Sequence, residues 1–160
     1  MQRHLARVAG FTMLAIAIGA AVAACGDDDD EDAGGGGGGG ASTVAVTLKE
    51  FEVLPDTDSV AAGSVTFRAT NIGPDDLHEL VVMKTDLARD ALPTKDDGSV
   101  DEEGAGVELI GEIEEFAVDS VEEITFDLKA GKYVLLCNIY DADEDEAHYA
   151  EGMRTAFTVE

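Results

Sequence analysis

From residue 42 onwards, short segments of the chain alternate between apolar and polar residues or are continuously apolar. In residues 64–70 the side chains of Val65, Phe67 and Ala69 alternate with their neighbours, which places all three on one face of a β-strand. Further strands are predicted over residues 44–48, 80–83, 121–128, 132–139 and 155–159. Turn-forming glycine, proline and asparagine residues separate these segments. The pattern predicts an all-β domain, folded as a Greek-key sandwich or barrel.

One stretch of the predicted domain lacks this regularity. Residues 86–106 are polar and acidic, with neither the two-residue period of a strand nor the longer period of a helix. We predict that they form an excursion over the surface, with room for a helical turn.

The first residues have the pattern of an export signal. Arg3 and Arg7 precede an apolar run that ends in Val22-Ala23-Ala24-Cys25. Small residues directly before a cysteine resemble a bacterial lipobox, in which the cysteine is lipidated after cleavage. This resemblance implies a signal peptide over residues 1–24 and a lipid anchor at Cys25, on the outer side of the cell membrane. An uncleaved transmembrane anchor is the alternative, although the run is barely long enough to span a bilayer.

A linker is predicted between this signal and the folded domain. Residues 27–32 are all acidic, and residues 34–40 are an unbroken run of glycine. Neither segment can bury apolar surface, and glycine-rich chains behave as flexible coil. We therefore predict a linker over residues 25–41 and one folded domain over residues 42–160, within the usual size of a single domain.

Four side chains of the predicted domain could bind a soft metal: His78, Cys137, His148 and Met153. If Cys25 carries lipid, Cys137 has no disulfide partner, and a lone cysteine in an exported protein is a reactive thiol or a metal ligand. Two imidazoles, a thiolate and a weak axial thioether form the ligand set that suits copper in electron transfer. Alternatives are a buried core cysteine, or a zinc site in which a carboxylate replaces Met153. Met83 is a second thioether, but it lies in an apolar run and is assigned to the core.

The C-terminal segment resembles the ligand loop of the cupredoxins, the small blue-copper proteins. Gly131-Lys132-Tyr133-Val134-Leu135-Leu136-Cys137 matches the family's G-x-Y-x-x-x-C strand, and His148 to Met153 matches its H-x4-M spacing. The segment from Asn71 to His78 resembles the upstream family motif. This resemblance implies that His78, Cys137, His148 and Met153 bind one copper ion and that the protein transfers single electrons.

The loop between Cys137 and His148 departs from the small members of that family. Ten residues separate the two, and they form what we call the acidic insert, residues 138–147. Its carboxylates are Asp141, Asp143, Glu144, Asp145 and Glu146. They imitate the start of an EF-hand loop, but the required glycine and closing glutamate are absent, so calcium is not predicted. Longer loops occur in the copper nitrite reductase branch, and the insert is therefore compatible with a copper site.

Charge narrows the choice of partners. The formal net charge is −25. A surface this acidic repels nucleic acid and attracts basic patches on protein partners. No constellation for catalysis is visible beyond the metal ligands. We therefore expect a monomeric, membrane-tethered electron carrier with basic redox partners, rather than an enzyme. Alternatives are a copper lipoprotein that buffers or delivers the metal, and a cupredoxin-like domain that no longer binds metal.

Overall fold

The computed structural model describes residues 41–160. The predicted signal peptide, Cys25 and every residue of the predicted linker except Ala41 lie outside these residues. The described chain forms two main β-sheets that pack face to face around the larger of two hydrophobic clusters. The predicted all-β sandwich is therefore confirmed.

The described elements are β-strands and one helix of a single turn. In chain order they are β1 (Ser42–Lys49), β2 (Glu52–Pro55), β3 (Ser59–Val60), β4 (Gly63–Asn71), β5 (His78–Thr85), β6 (Val107–Phe116), β7 (Val121–Leu128), β8 (Gly131–Leu136), β9 (Tyr140–Asp141), β10 (Glu146–Ala147), α1 (His148–Glu151) and β11 (Arg154–Val159). Within residues 41–160, no helix has the length and apolar character needed to cross a membrane.

The strands form a four-stranded and a five-stranded sheet. The first has the order β2-β1-β4-β7, and the second has the order β3-β11-β8-β5-β6. β1 runs parallel to β4 and β3 runs parallel to β11, whereas the other pairs within these sheets are antiparallel. β9 and β10 form a separate hairpin inside the acidic insert.

The core lies between the two sheets. Phe67 of β4 and Phe157 of β11 meet edge to face there, with ring centroids 5.6 Å apart. Val65, Phe67 and Ala69 are fully buried, as their alternation predicted. Burying one large apolar side chain contributes about 1.5–3 kcal/mol, so this face accounts for much of the stability of the domain.

The strand predictions are confirmed in position but not always in length. Each of the six predicted segments overlaps a strand, and the predicted strand over residues 121–128 matches β7. β8 ends at Leu136 rather than at residue 139, because the chain leaves the sheet at Cys137. No strand was predicted over the short strands β2, β3, β9 and β10. The prediction also lacked β6, the longest strand of the described residues, whose residues are mostly exposed or half-buried glutamates and aliphatics. An acidic strand at the edge of a sheet buries too few side chains to show a clear two-residue alternation of apolar and polar residues.

The β5–β6 segment, residues 86–106, differs from its prediction in two respects: it has no helical turn, and it buries apolar side chains. It contains no helix, and it has an isolated bridge between Thr94 and Val100. Leu92 and Val100 are buried with Val81 and Met83 of β5 in a second hydrophobic cluster, which we call the outer cluster. The excursion therefore covers the outer face of the five-stranded sheet. With both faces of β5 and β8 covered, these strands are continuously apolar rather than alternating.

Candidate metal centre

His78 is the first residue of β5, and Asn71 fixes the loop that leads to it. The Asn71 side chain donates hydrogen bonds to the carbonyls of Asp76 (2.9 Å) and Phe116 (3.1 Å). Its Oδ1 accepts one from the Gly73 amide at 2.8 Å. Asn71 is fully buried, so these bonds form in a low-dielectric environment that strengthens them. They hold the loop at the end of β4, and His78 enters the interior.

Cys137 follows the last residue of β8. Its backbone amide donates to the carbonyl of Met153 at 3.0 Å, which ties the strand end to the residue before β11. Its Sγ accepts a long hydrogen bond from the amide of Glu79 at 3.5 Å. Glu79 Oε1 in turn accepts from the amide of Asn138 at 2.8 Å. The backbone amides of Cys137 and Asn138 and the Cys137 sulfur are thereby all anchored.

His148 and Met153 lie at the two ends of the turn that contains α1. The Met153 amide donates to the His148 carbonyl at 3.0 Å, which closes this turn. Gly152 has a φ of 132°, and a Cβ there would lie 3.1 Å from the carbonyl oxygen of Phe51. Glycine is needed at this position for both reasons. The Phe51 ring packs edge to face on His148 at 5.6 Å.

The fold brings the predicted ligands together. Ligand atoms of His78, Cys137 and His148 all lie within 4.8 Å of one another. Cys137 Sγ is 3.3 Å from His148 Nδ1, and the two imidazole centroids are 5.2 Å apart. Met153 is fully buried in the same cluster as Cys137. By contrast, Met83 belongs to the outer cluster, in agreement with its assignment to the core.

The buried polar atoms of this cluster indicate a metal site. Both ring nitrogens of His78 are buried without a hydrogen-bond partner in the described part of the chain. An unsatisfied buried polar group costs about 1–3 kcal/mol, and such groups are rare in native proteins. Two imidazoles, a thiolate and a thioether are soft and borderline donors. The arrangement fits one copper ion.

Burial sets the protonation state of these donors. Burial, partly offset by hydrogen bonds from the amides of Glu79 and Ile139, raises the pKa of Cys137 to about 12. Burial lowers the pKa of His148, and burial and the charge of His148 lower the pKa of His78. At neutral pH the metal-free centre therefore holds a thiol and neutral imidazoles, and only a cation would stabilise the thiolate.

Glu50 is a neighbour of the centre that no sequence pattern singled out. Its Oε1 accepts hydrogen bonds from the amides of Asp76 (2.8 Å) and Asp75 (3.1 Å) and lies 3.7 Å from His78 Nε2. Although burial opposes it, these amides lower the pKa of Glu50, so the side chain is a carboxylate at neutral pH. In a chain so rich in acids, one more glutamate carries no recognisable signal.

Carboxylates also surround the outer edge of His148. A carboxylate oxygen of Asp76, one of Glu146 and a ring nitrogen of His148 lie within 4.8 Å of one another. The adjoining surface depression is lined by Asp75, Asp76, Leu77, Glu115, Ile139, Tyr140, Asp141, Ala142 and His148. The acidic insert closes this side with its hairpin, in which Tyr140 donates to Asp145 at 2.6 Å.

Comparison with known proteins identifies the fold. No known family profile matches the chain, and no curated protein matches it either. Among solved structures, auracyanin A, a "blue" copper protein from Chloroflexus aurantiacus, is similar with a TM-score of 0.52 and 21% identity, over 76% of this chain and all of that one. Reduced rusticyanin has a TM-score of 0.50 and 18% identity, over 76% of this chain and 81% of that one. Reduced auracyanin from Roseiflexus castenholzii has a TM-score of 0.49 and 22% identity, over 75% of this chain and 96% of that one. The described chain has the cupredoxin fold.

Proposed function

We propose that this protein is a mononuclear type 1 copper protein that transfers single electrons. The observation that carries the proposal is the buried convergence of His78, Cys137 and His148, with Met153 beside Cys137, on a cupredoxin fold. Copper, when bound, would supply the one-electron chemistry. The function needs no catalytic group, and we propose no enzymatic activity.

The protein would fix the positions of the metal donors and exclude water from them. Cys137 and Met153 are linked by a backbone hydrogen bond, and the turn from His148 to Met153 is closed by another. Ligands whose positions are fixed by packed strands rearrange little when the charge of the centre changes. Nitrogen donors favour the oxidised metal and sulfur donors the reduced one, so this set accommodates both states.

Burial favours electron transfer over metal buffering or delivery. The four side chains are at most 2% exposed. A protein that hands a metal ion to a partner needs donors that the partner can reach. An electron can pass through the edge of a buried imidazole, whereas an ion cannot leave without opening the site.

We further propose where the protein acts and what it meets. A lipid on Cys25 would hold the domain outside the cell membrane, on the linker of residues 25–41. The carboxylates around His148 would attract basic patches on redox proteins, and the net charge of −25 argues against nucleic acid as a partner. The domain would act as a monomer.

Copper titration of the purified chain tests the proposal. Cu(II) should produce an intense visible band from thiolate-to-copper charge transfer, and Cys137→Ser should abolish it. Cys25→Ser is the matched control and should keep the band. A colourless protein that selects zinc over copper in competition would contradict the proposed function.

A further inference from the structure

The β5–β6 segment contacts the chain directly beside two of the proposed ligands. Asn138 follows Cys137 and Tyr149 follows His148, and the side chains of both bind backbone groups of this segment. The contacts link residues far apart in the sequence, so they are a product of the tertiary fold.

Asn138 binds one residue of the segment through both halves of its amide. Its Oδ1 accepts from the amide of Val100 at 2.5 Å, and its Nδ2 donates to the carbonyl of Val100 at 3.1 Å. Nδ2 also donates to Glu102 Oε1 at 2.9 Å. This pairing satisfies both backbone groups of Val100, which is fully buried. It joins the first residue of the acidic insert to the segment.

Tyr149 makes the corresponding contact at the other end of the insert. Its hydroxyl donates to the carbonyl of Arg89 at 2.8 Å and accepts from the amide of Leu92 at 3.3 Å. The ring is buried in the outer cluster with Leu92 and Val100. The position next to His148 is therefore held by packing as well as by hydrogen bonds.

A third contact explains a glycine of the segment. Gly98 has a φ of 87°, and a Cβ there would lie 3.2 Å from the Cβ of Ala147, the residue before His148. The segment thus approaches both chain neighbours of His148, Ala147 and Tyr149. A larger residue at position 98 would be strained and would push the two chains apart.

We infer that the β5–β6 segment positions the metal donors, and that Asn138 and Tyr149 are the positioning residues through which it acts. The inference rests on the proposed copper site. A flexible ten-residue connection between Cys137 and His148 could not fix their separation, because longer loops leave their ends more conformational freedom. Here both ends of the insert are attached to one segment, and only the hairpin of β9 and β10 projects between them. The positions of the donors therefore do not depend on the length of the insert.

Two substitutions test the inference, with one matched control. Asn138→Ala removes the pairing with Val100, and Tyr149→Phe removes only a hydroxyl while the ring still packs. Tyr140→Phe removes a hydroxyl that binds Asp145 within the insert and serves as the control. The full chain, purified without copper, is examined by amide hydrogen exchange over residues 137–153. Its copper form is examined by visible absorption and EPR.

We expect exchange in residues 137–153 to become roughly tenfold faster in Asn138→Ala and measurably faster in Tyr149→Phe, because hydrogen bonds that hold the loop are lost. Amides of β1 and β4 should keep wild-type protection, and Tyr140→Phe should behave as wild type. The EPR lines of the copper form should broaden in both test variants. Wild-type exchange and spectra in Tyr149→Phe and in a folded Asn138→Ala would overturn the inference. Because exchange is measured without metal, a wild-type chain that binds no copper would contradict the proposed function and leave this test valid.

Discussion

Nε2 of His78 lies 3.7 Å from Oε1 of Glu50, a carboxylate that stands close enough to act on the imidazole through its charge. Oε2 of Glu50 is buried and, like both ring nitrogens of His78, has no hydrogen-bond partner among residues 41–160. A carboxylate behind a ligating histidine orients the ring and increases its basicity. At this distance Glu50 makes no hydrogen bond to the ring, but its negative charge favours a proton on Nε2 of His78, which leaves Nδ1 for a metal.

The first prediction concerns this carboxylate. Glu50→Gln should raise the reduction potential of the copper form, because a negative charge near the centre stabilises Cu(II) more than Cu(I). For charges about 6 Å apart at an effective dielectric of about 20, the effect is of the order of 1–3 kcal/mol. Redox titration against Glu52→Gln, an exposed glutamate paired with Lys49, checks it. Equal shifts in the two variants would show that Glu50 has no special position.

NMR of the metal-free protein should show a changed His78 tautomer in Glu50→Gln only.

The second prediction concerns Met153. Met153→Leu should retain copper and raise the reduction potential, because loss of a weak thioether donor destabilises Cu(II) more than Cu(I). Leucine has a similar volume, so the folding cost should stay below about 1.5 kcal/mol. Met83→Leu, in the outer cluster, is the control and should leave the potential unchanged. A wild-type potential in Met153→Leu would mean that the Met153 thioether does not help to hold the copper.

The third prediction concerns protons. Copper binding at pH 7.5 should release about one proton, from Cys137, because the lowered pKa values of His78 and His148 leave both imidazoles already neutral. Since the thiol stays protonated up to a pKa of about 12, copper affinity should rise about tenfold per pH unit above neutrality. Calorimetry in buffers of different ionisation enthalpy measures the release.

Glu79 is the group most able to complicate this proton count. Burial, offset by the hydrogen bond from Asn138, raises its pKa to about 7. Glu79→Gln keeps an oxygen for the Asn138 amide and removes this titration. The variant should still release one proton, whereas Cys137→Ser should release none. A proton release that persists in Cys137→Ser would assign the proton to another group.

The fourth prediction concerns the acidic insert. Electron transfer with a basic cytochrome should slow steeply as salt rises, because exposed charges act over about 10 Å at 0.1 M salt. Neutralising Asp143, Glu144, Asp145 and Glu146 to Asn or Gln should flatten this dependence while copper stays bound. Asp141 is kept, because its Oδ1 accepts from the amides of residues 143 and 144 and shapes the hairpin. Stopped-flow rates over a salt series provide the measurement.

The control for that series neutralises Glu52, Glu122, Glu123 and Asp127, an equal charge change on the four-stranded sheet. It should leave the salt dependence steep. Similar flattening in both sets would show that overall charge, rather than the edge beside His148, steers the encounter. Loss of copper in the insert variant would show that the insert maintains the centre.

The sequence by itself determined the strands that bury one face and the chemical identity of the donors. Alternation in residues 64–70 reports a half-buried strand, because successive side chains point to opposite faces. The scarcity of soft donors left His78, Cys137, His148 and Met153 as one set. These are properties of residue type and local period, and they need no knowledge of distant contacts.

The tertiary structure alone decided how the centre is supported. Residue 89 binds Tyr149 across 60 positions of the chain, and Val100 binds Asn138 across 38. No local pattern encodes such a pair, because the segments around both partners have the composition of ordinary surface loops. Glu50 reaches His78 for the same reason, through a turn after β1 whose position depends on the packing of the two sheets. Local sequence selects the candidate donors, whereas the long-range packing decides which residues contact their chain neighbours.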